Sequence, residues 1–171
     1  AYYEFSKYNF LSKIKKFENL IIIRTFSKML GLAGLRLGYV VSNKNIIKKY
    51  FAIKPMYEIN SVAVKALELM IDNSKIIKLY LKQMREGEEY AKIFCKNNNF
   101  KFIKCYANFF HICFNYDPKK IQNYLLKRNI LIKGGPSVDS FEDYLRISFA
   151  KRSTISFILN EIKKYLKNKE C

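Results

Sequence analysis

Residues 24–36 read Arg-Thr-Phe-Ser-Lys-Met-Leu-Gly-Leu-Ala-Gly-Leu-Arg, and they begin at the end of a short apolar run, residues 21–26. The β-branched residues of that run predict a buried strand. In α/β proteins, ligand-binding groups gather where such strands end. The stretch therefore predicts an α/β fold with a binding site directly after this strand.

The side chains of this stretch suit an anionic ligand. Two hydroxyls, a lysine, two glycines and an arginine lie in it, without any acidic residue. Thr25 and Ser27 can donate hydrogen bonds to a phosphate, and Arg36 can bind two oxygens at once. Lys28, with a cation nearby, is also a candidate nucleophile. The spacing matches neither the Walker loop nor a GxGxxG motif, and an ordinary glycine-containing turn stays open as the alternative.

Length and composition exclude several classes of protein. A chain of 171 residues is, as a first estimate, one ordinary domain. Its 14 Phe and 13 Tyr exclude an intrinsically disordered chain, and its apolar runs are far shorter than the ~20 residues that a membrane-spanning helix needs. Four cysteines without a CxxC pair and one histidine predict no metal site. Scattered, reduced cysteines are typical of the cytoplasm.

The net charge of +18 invites a second interpretation, a basic nucleic-acid-binding module. The basic residues are 26 Lys and only 6 Arg, and the lysines occur in ones and twos along helical stretches. Phosphate recognition at interfaces favours Arg, whose planar group binds two oxygens. The charge therefore favours a solvated lysine surface, with no nucleic-acid or membrane partner, and the nucleic-acid-binding module stays open as the alternative.

Strand and helix patterns alternate along the chain. They predict strands at residues 21–26, 38–42, 100–103, 109–114, 130–133 and 144–149. Helices are predicted at residues 43–51, from 60 or 61, from 74, at 117–128 and over the final segment. The pattern predicts two domains: residues 1–55 from a larger α/β layer, and residues 56–171 as a small α+β domain with a mostly antiparallel sheet.

Four motifs, in order along the chain, resemble one enzyme family. Residues 24–39 are similar to the pyridoxal-phosphate lysine motif of fold-type-I aminotransferases, closest to the histidinol-phosphate aminotransferase branch. Ala1-Tyr2 resembles the end of that family's Asp-Glu-Ala-Tyr motif, and residues 55–60 resemble its entry to the small domain. Residues 144–147 resemble its substrate-arginine strand. The branch also contains phosphoamino-acid decarboxylases of the threonine-phosphate type, which stay open as an alternative.

The resemblance implies specific roles for the first part of the chain. Lys28 would form the Schiff base with pyridoxal 5'-phosphate and move the proton between the substrate Cα and the cofactor C4'. Arg36, Ser27 and Thr25 would hold the cofactor phosphate. Tyr2 would donate a hydrogen bond to the phenolic oxygen of the ring. The implied fold is the C-terminal portion of the large transferase domain, with a few mostly parallel strands, plus the small C-terminal domain.

The resemblance also implies substrate-binding residues in the second part. Arg146 would bind the substrate carboxylate, or another anionic group in a relative. Lys133 stands where the branch carries an arginine near the substrate phosphate, so the substrate tail is left open. Asn108 either lines the pocket or serves as a turn residue before a strand. The acidic residues of loop 134–143 either form a solvated turn or favour an amino group on the substrate.

The remaining implications concern the whole protein. The family's ring-nitrogen aspartate would lie two positions before Ala1, which predicts a C-terminal part of an enzyme about twice as long, inactive alone. The expected activity is transfer of an amino group from a small donor to a keto acid in amino-acid biosynthesis. A cytoplasmic homodimer is expected on the same ground. His111, in an alternating strand pattern, is predicted to be a structural sheet residue.

Overall fold

The computed structural model describes residues 1–6, 8–134 and 140–169. The chain divides into two compact units, Ala1–Lys78 and Leu79–Cys171, which are described separately. The domain boundary at residue 55 stays a prediction. Residues 135–139, which include the acidic Asp139 of the loop before the last strand, lie outside the described residues.

The first unit is built around two strands and two helices. Strand β1 spans Ile22–Thr25 and β2 spans Gly38–Val41. Helix α1 spans Lys44–Ile53 and α2 spans Ser61–Asp72. The side chains of Asn43 and Asn60 cap these helices by accepting backbone N–H groups of the first turn. Short 3-10 helices lie at Tyr3–Phe5, Leu11–Lys13 and Ala33–Leu35.

The two strands of this unit pair antiparallel, from Ile22 opposite Val41 to Thr25 opposite Gly38. The expectation of mostly parallel strands is therefore wrong for the strands that the structure describes. Parallel neighbours need a long crossover, usually a helix. Residues 26–37 instead fold back, because the N–H of Phe26 donates to the carbonyl of Leu37 at 3.1 Å. Gly38 is required here, since a Cβ on it would lie 2.6 Å from the Arg24 carbonyl oxygen.

The second unit is an α+β domain with a three-stranded antiparallel sheet in the order β3-β4-β5, which confirms the expected sheet type. The strands are β3, Lys101–Lys104; β4, Phe109–Cys113; and β5, Tyr144–Ser148. The helices are α3, Ser74–Asn97, which begins in the first unit; α4, Pro118–Leu126; and α5, Arg152–Lys167. Asp117 caps α4 and Pro118 occupies its first turn, where a missing N–H costs nothing.

One face of this sheet makes the core. Phe110, Ile112, Leu145 and Ile147 alternate along β4 and β5 and are no more than 1% exposed. They pack in one cluster with buried residues of the three helices, among them Ala91, Ile121, Leu125, Ile155, Leu159 and Ile162. The other face of the same strands carries Phe109, His111, Tyr144 and Arg146. The period-2 pattern thus separates a core face from a face that holds polar groups.

The predicted strand at residues 130–133 does not form. Only one bridge joins this segment to β5, at Lys133 opposite Arg146. Leu131 is 85% exposed, so this apolar segment is not buried on both of its faces as a central strand would be. The segment is nevertheless fixed, because the Gln122 side chain donates to the carbonyl of Ile132 at 3.0 Å. Within the described residues, no helix is long and apolar enough to cross a membrane.

Candidate active site

The loop after β1 is closed by its own backbone. The N–H of Leu32 donates to the carbonyl of Phe26 at 3.3 Å, and Phe26 bonds in turn to Leu37. Gly31 has φ +68, a conformation that glycine adopts without steric cost. Met29 and Leu37 are buried and anchor the two ends of the loop. The loop therefore holds its polar side chains by backbone hydrogen bonds and two apolar anchors.

Thr25 and Ser27 form a hydroxyl pair at the start of this loop. Their Oγ atoms lie 2.8 Å apart, and the N–H of Ser27 donates to Thr25 Oγ1 at 3.1 Å. Thr25 Oγ1 also lies 3.2 Å from the Leu37 carbonyl oxygen. A hydroxyl has one hydrogen, so Thr25 donates to one of these acceptors at a time. Thr25 is thus occupied within the protein, and its predicted contact with a phosphate stays a prediction.

Lys28 and Tyr2 are brought together, although 26 positions separate them in the sequence. The Lys28 Nζ lies 5.8 Å from the centroid of the Tyr2 ring. Both side chains are half-buried. In the described part of the chain, no carboxylate lies within ion-pair distance of Lys28. A primary amine thus faces an aromatic ring in a site free of competing acids.

Arg36 adopts a left-handed backbone conformation, with φ 56 and ψ 36. Such a conformation costs a residue other than glycine about 1 kcal/mol or more, and it persists where the surrounding structure enforces it. The Nη1 of Arg36 donates to the carbonyl of Ala33 at 3.0 Å, which leaves most guanidinium donors unused by that bond. Its side chain is exposed, so these donors are open to an anion.

Arg24 is a residue of this site whose importance the sequence does not reveal. It is only 9% exposed, and its Cζ lies 3.4 Å from the centroid of the Tyr3 ring. Its guanidinium donates to the Tyr39 hydroxyl at 3.3 Å and to Asn9 Oδ1 at 3.4 Å. Arg24 thereby connects β1 and β2 to the turn that carries Tyr2. The one sequence signal is a charged residue inside an otherwise apolar strand.

The second unit holds the other predicted site residues. The Arg146 guanidinium stacks on the Phe109 ring, with Cζ 4.2 Å from its centroid. The backbone N–H of Arg146 donates to the Lys133 carbonyl at 2.8 Å. Lys133 and Arg146 therefore lie directly opposite each other, and their side chains share a face. Asn108 uses its backbone carbonyl to accept from Phe149 N–H at 2.8 Å, which closes the end of β5.

Beside Arg146, His111 contacts Cys105, with Sγ 3.2 Å from Nδ1. Burial of the imidazole lowers the pKa of His111 below its ordinary value, and the charge of Arg146 lowers it further. Burial raises the pKa of the Cys105 thiol, and Arg146 opposes that effect. Burial and the Arg146 charge thus both disfavour the protonated form of the imidazole on this face.

The donor set of the first unit fits a phosphorylated aldehyde cofactor better than a metal. Within the described residues, no group of three His, Cys, Asp or Glu side chains could hold a metal ion. Lys28 supplies an amine, Tyr2 a phenol, and Ser27 and Arg36 supply phosphate donors. These groups match an aldehyde, a phenolic oxygen and a phosphate, respectively.

Comparisons with known proteins point to one family. The family model described as Aminotransferase class I and II matches residues 1–156. A histidinol-phosphate aminotransferase of Pyrococcus furiosus is 35% identical over 179 aligned residues, covering all of this chain and 48% of that protein. The chain thus spans about half the length of the curated relatives it matches.

Solved structures share the fold at low sequence identity. A histidinol-phosphate aminotransferase from Sinorhizobium meliloti in complex with pyridoxal-5'-phosphate has a TM-score of 0.81 at 19% identity, covering 96% of this chain and 48% of that one. An L-threonine-O-3-phosphate decarboxylase from Porphyromonas gingivalis has a TM-score of 0.75 at 22% identity, covering 92% and 50%. With most of its length matched by the family model, the chain belongs to the class I and II aminotransferase family.

Proposed function

We propose that the whole protein is a pyridoxal-phosphate-dependent aminotransferase similar to histidinol-phosphate aminotransferase. The observation that carries the proposal is the position of the Lys28 amine, 5.8 Å from the Tyr2 ring and on the loop that also presents Ser27 and Arg36. When bound, the cofactor supplies an electron sink for the bond that breaks at the substrate Cα. The 35% identity to the Pyrococcus furiosus relative supports the same activity.

The residues of the first unit divide the work of binding and proton transfer. The Lys28 Nζ would hold the aldehyde carbon of the cofactor and would carry a proton to and from the substrate Cα. Tyr2 donates a hydrogen bond to the phenolic oxygen. Ser27 and Arg36 hold the phosphate, while Thr25 fixes the orientation of Ser27 through the bond between their hydroxyls.

The residues of the second unit bind the substrate. Arg146 binds a carboxylate or another anionic group, and stacking on the Phe109 ring orients its guanidinium. Lys133 supplies a second positive charge on the same face, suited to a phosphate tail. Asn108, directly before β4, would add a polar contact to the substrate in this proposal. A phosphorylated amino compound is the substrate class that uses both cations.

The proposed whole protein is about twice the length of this chain, since the matched relatives are twice as long. We place it in the cytoplasm, as a homodimer with an amino donor and a keto acid as its small-molecule partners. In this proposal the 171 residues are inactive alone, because they span only about half the length of the relatives they match.

Product analysis with three amino donors tests the reaction type. Whole protein loaded with cofactor is incubated with histidinol phosphate, serine phosphate or threonine phosphate, each with and without a keto-acid acceptor. The proposal expects amino transfer from histidinol phosphate that depends fully on the acceptor. Release of carbon dioxide without an acceptor would overturn it in favour of the decarboxylase, whose fold this chain also shares.

A further inference from the structure

The sheet face opposite the core carries a row of three nitrogen bases that the sequence does not place together. Lys133 lies opposite Arg146, and Arg146 lies opposite His111 in the register of β4 and β5. Residues directly opposite on antiparallel strands have their side chains on the same face. Positions 111, 133 and 146 therefore form one continuous row across three neighbouring segments.

The row contains two basic side chains, Lys133 and Arg146. No carboxylate of residues 1–6, 8–134 or 140–169 lies within ion-pair distance of Arg146 or Lys133. Like charges directly opposite each other across strands are unfavourable. An anion that bridges the two side chains removes this repulsion and gains two charge-assisted contacts. A bound anion should therefore lower the electrostatic energy of this pair of side chains.

His111 stands at the other end of the row in an enclosed position. Its ring is 8% exposed and packs edge-on against Phe109, 5.4 Å away, and against Phe141, 5.2 Å away. Because Phe109 also stacks under the Arg146 guanidinium, one aromatic ring contacts both polar side chains. The imidazole and the guanidinium thus contact the same ring, and the Arg146 charge acts on His111.

The charged and titratable groups around the imidazole come from several elements. Arg146 faces it from β5, and Cys105 contacts its Nδ1 from the end of β3. Glu88 of α3 acts on the Cys105 thiol and forms an ion pair with Lys104 at 3.3 Å. The segment before β5 contributes the Phe141 ring and carries Glu142 and Asp143. Arg146 is the ionic group that acts directly on His111.

We propose that Lys133, Arg146 and His111 form one anion-binding row in which anion binding is coupled to proton uptake by the His111 imidazole. The inference deepens the proposed function and rests on it for the identity of the natural ligand, a substrate with a dianionic tail. With the row empty, the Arg146 charge opposes protonation of His111. A bound dianion neutralises that charge, so the imidazole accepts a proton and becomes a third cation.

The coupling has a definite sign in both directions. Because linkage is reciprocal, an anion that favours protonated His111 binds more tightly once His111 is protonated. Affinity for a dianion therefore rises as the pH falls through the titration of His111 and is constant below it. If the dianion raises the His111 midpoint by about one pH unit, the affinity rises by about tenfold over that range.

The test uses the fact that the chain contains a single histidine. The imidazole proton resonances of the untagged 171-residue chain are followed by NMR from pH 5 to 8, in chloride and in sulfate at equal ionic strength. Sulfate is chosen because its charge stays constant over this range. The expected result is a midpoint below 6.5 in chloride, the ordinary value for histidine, and a midpoint about one unit higher in sulfate.

Three variants separate the coupling from general salt effects. Arg146→Gln should raise the midpoint in chloride and remove the sulfate shift, while Lys133→Gln should reduce the shift. Lys119→Gln, an exposed lysine of α4, is the matched control and should behave like the parent chain. Should Arg146→Gln fail to fold, Arg146→Lys keeps the charge and should retain the sulfate shift. The reduction of that shift in Lys133→Gln then becomes the deciding measurement.

The coupling is disproved if the His111 midpoint is the same in sulfate as in chloride. It is also disproved if the difference between the two salts is equally large in Arg146→Gln. The measurement needs no cofactor and does not involve Lys28. A positive result with no cofactor attachment at Lys28 in the whole protein would therefore retain the coupling and reject the proposed reaction. Cofactor attachment at Lys28 in the whole protein, together with no effect of sulfate on the His111 midpoint, would reject the coupling alone.

Discussion

The loop at residues 24–38 and the sheet face around Arg146 form their sites in different ways. The loop carries Thr25, Ser27, Lys28 and Arg36 within 12 consecutive residues, and backbone hydrogen bonds set their positions. The sheet face assembles positions 111, 133 and 146 from segments far apart in the sequence, through strand register. A local site is readable from sequence, whereas a register-built site appears only when the strands are paired.

The two units also differ in how they are stabilised. In the first unit, the buried residues are Arg24, Met29, Leu37 and Ala63, while many large apolar side chains of that unit are exposed. Ile53 is 82% and Tyr57 is 92% exposed. The second unit has one continuous core contributed by a sheet and three helices. The proposed cofactor site therefore lies in the less buried unit, and the proposed substrate-binding cations lie on the better packed one.

The largest expected effect comes from the loop. Lys28→Arg keeps the positive charge but removes the nucleophilic amine, so amino transfer by the whole protein should fall by about a thousandfold or more. The matched control is Lys48→Arg, at an exposed position of α1, which should keep full activity. Steady-state rates with a phosphorylated amino donor measure both. Retention of more than a tenth of the activity in Lys28→Arg would contradict the role of the amine.

The next effect tests the difference in packing. Leu159→Ala removes a side chain that is 0% exposed in the core of the second unit and should lower the free energy of unfolding by about 2–5 kcal/mol. Ile53→Ala in the first unit should change it by less than about 0.5 kcal/mol, since that side chain is largely exposed. Urea unfolding, followed by circular dichroism, compares the two. Equal effects would show that the units are packed alike.

A smaller effect tests the close approach of β1 and β2. Gly38→Ala places a methyl group 2.6 Å from the Arg24 carbonyl oxygen, which forces the strands apart and should cost about 1–3 kcal/mol. Gly34→Ala, where nothing lies within 4 Å, is the control and should cost less than about 0.5 kcal/mol. Thermal unfolding of the two variants measures the difference. Similar melting temperatures for both would argue against this strand pairing.

The smallest effect concerns pH and the second unit. His111 has a native pKa below its ordinary value of 6.5, so the unfolded chain binds the proton more readily than the native one. Its contribution to stability is therefore complete above about pH 6.5 and is lost as the pH falls toward the native value, at about 1.4 kcal/mol per unit of difference. His111→Asn should flatten this part of the stability profile. An unchanged slope would mean that other groups cause it.

Much of the fold could be predicted because the local signals are strong. The apolar run at residues 21–26 contains β1, and the helix starts near Asn43, Asn60 and Asp117 are local signals of the same kind. The prediction that this strand is buried was wrong, because Ile23 is 72% exposed. The parallel pairing was wrong, since nothing in residues 26–37 reveals that the loop folds back onto Leu37. The prediction of a strand at residues 130–133 was wrong. A short apolar pattern does not show whether its backbone pairs with a neighbouring strand, and only Lys133 forms a bridge to β5.

The candidate site could be proposed from the sequence only in part, and its residue roles stay predictions. Lys28 and Arg36 are recognised from consecutive residues, and the structure adds that the Tyr2 ring lies beside the Lys28 amine. The contacts of Arg24 and His111 could not be predicted, because their partners lie 15 and 35 positions away in the sequence. Arg24 bonds across strands to Tyr39, and His111 faces Arg146 across β4 and β5. Long-range pairing of this kind has no local pattern.

Reductive trapping of the cofactor tests the central claim most directly. The whole protein and the 171-residue chain are each mixed with pyridoxal phosphate, treated with borohydride, digested and mapped by mass spectrometry. The account predicts one label per chain in the whole protein, on Lys28, and no stoichiometric label in the 171-residue chain. Labelling of the whole protein at other lysines with Lys28 unmodified would contradict the claim, and stoichiometric labelling of the shorter chain at Lys28 would show that it assembles the site alone.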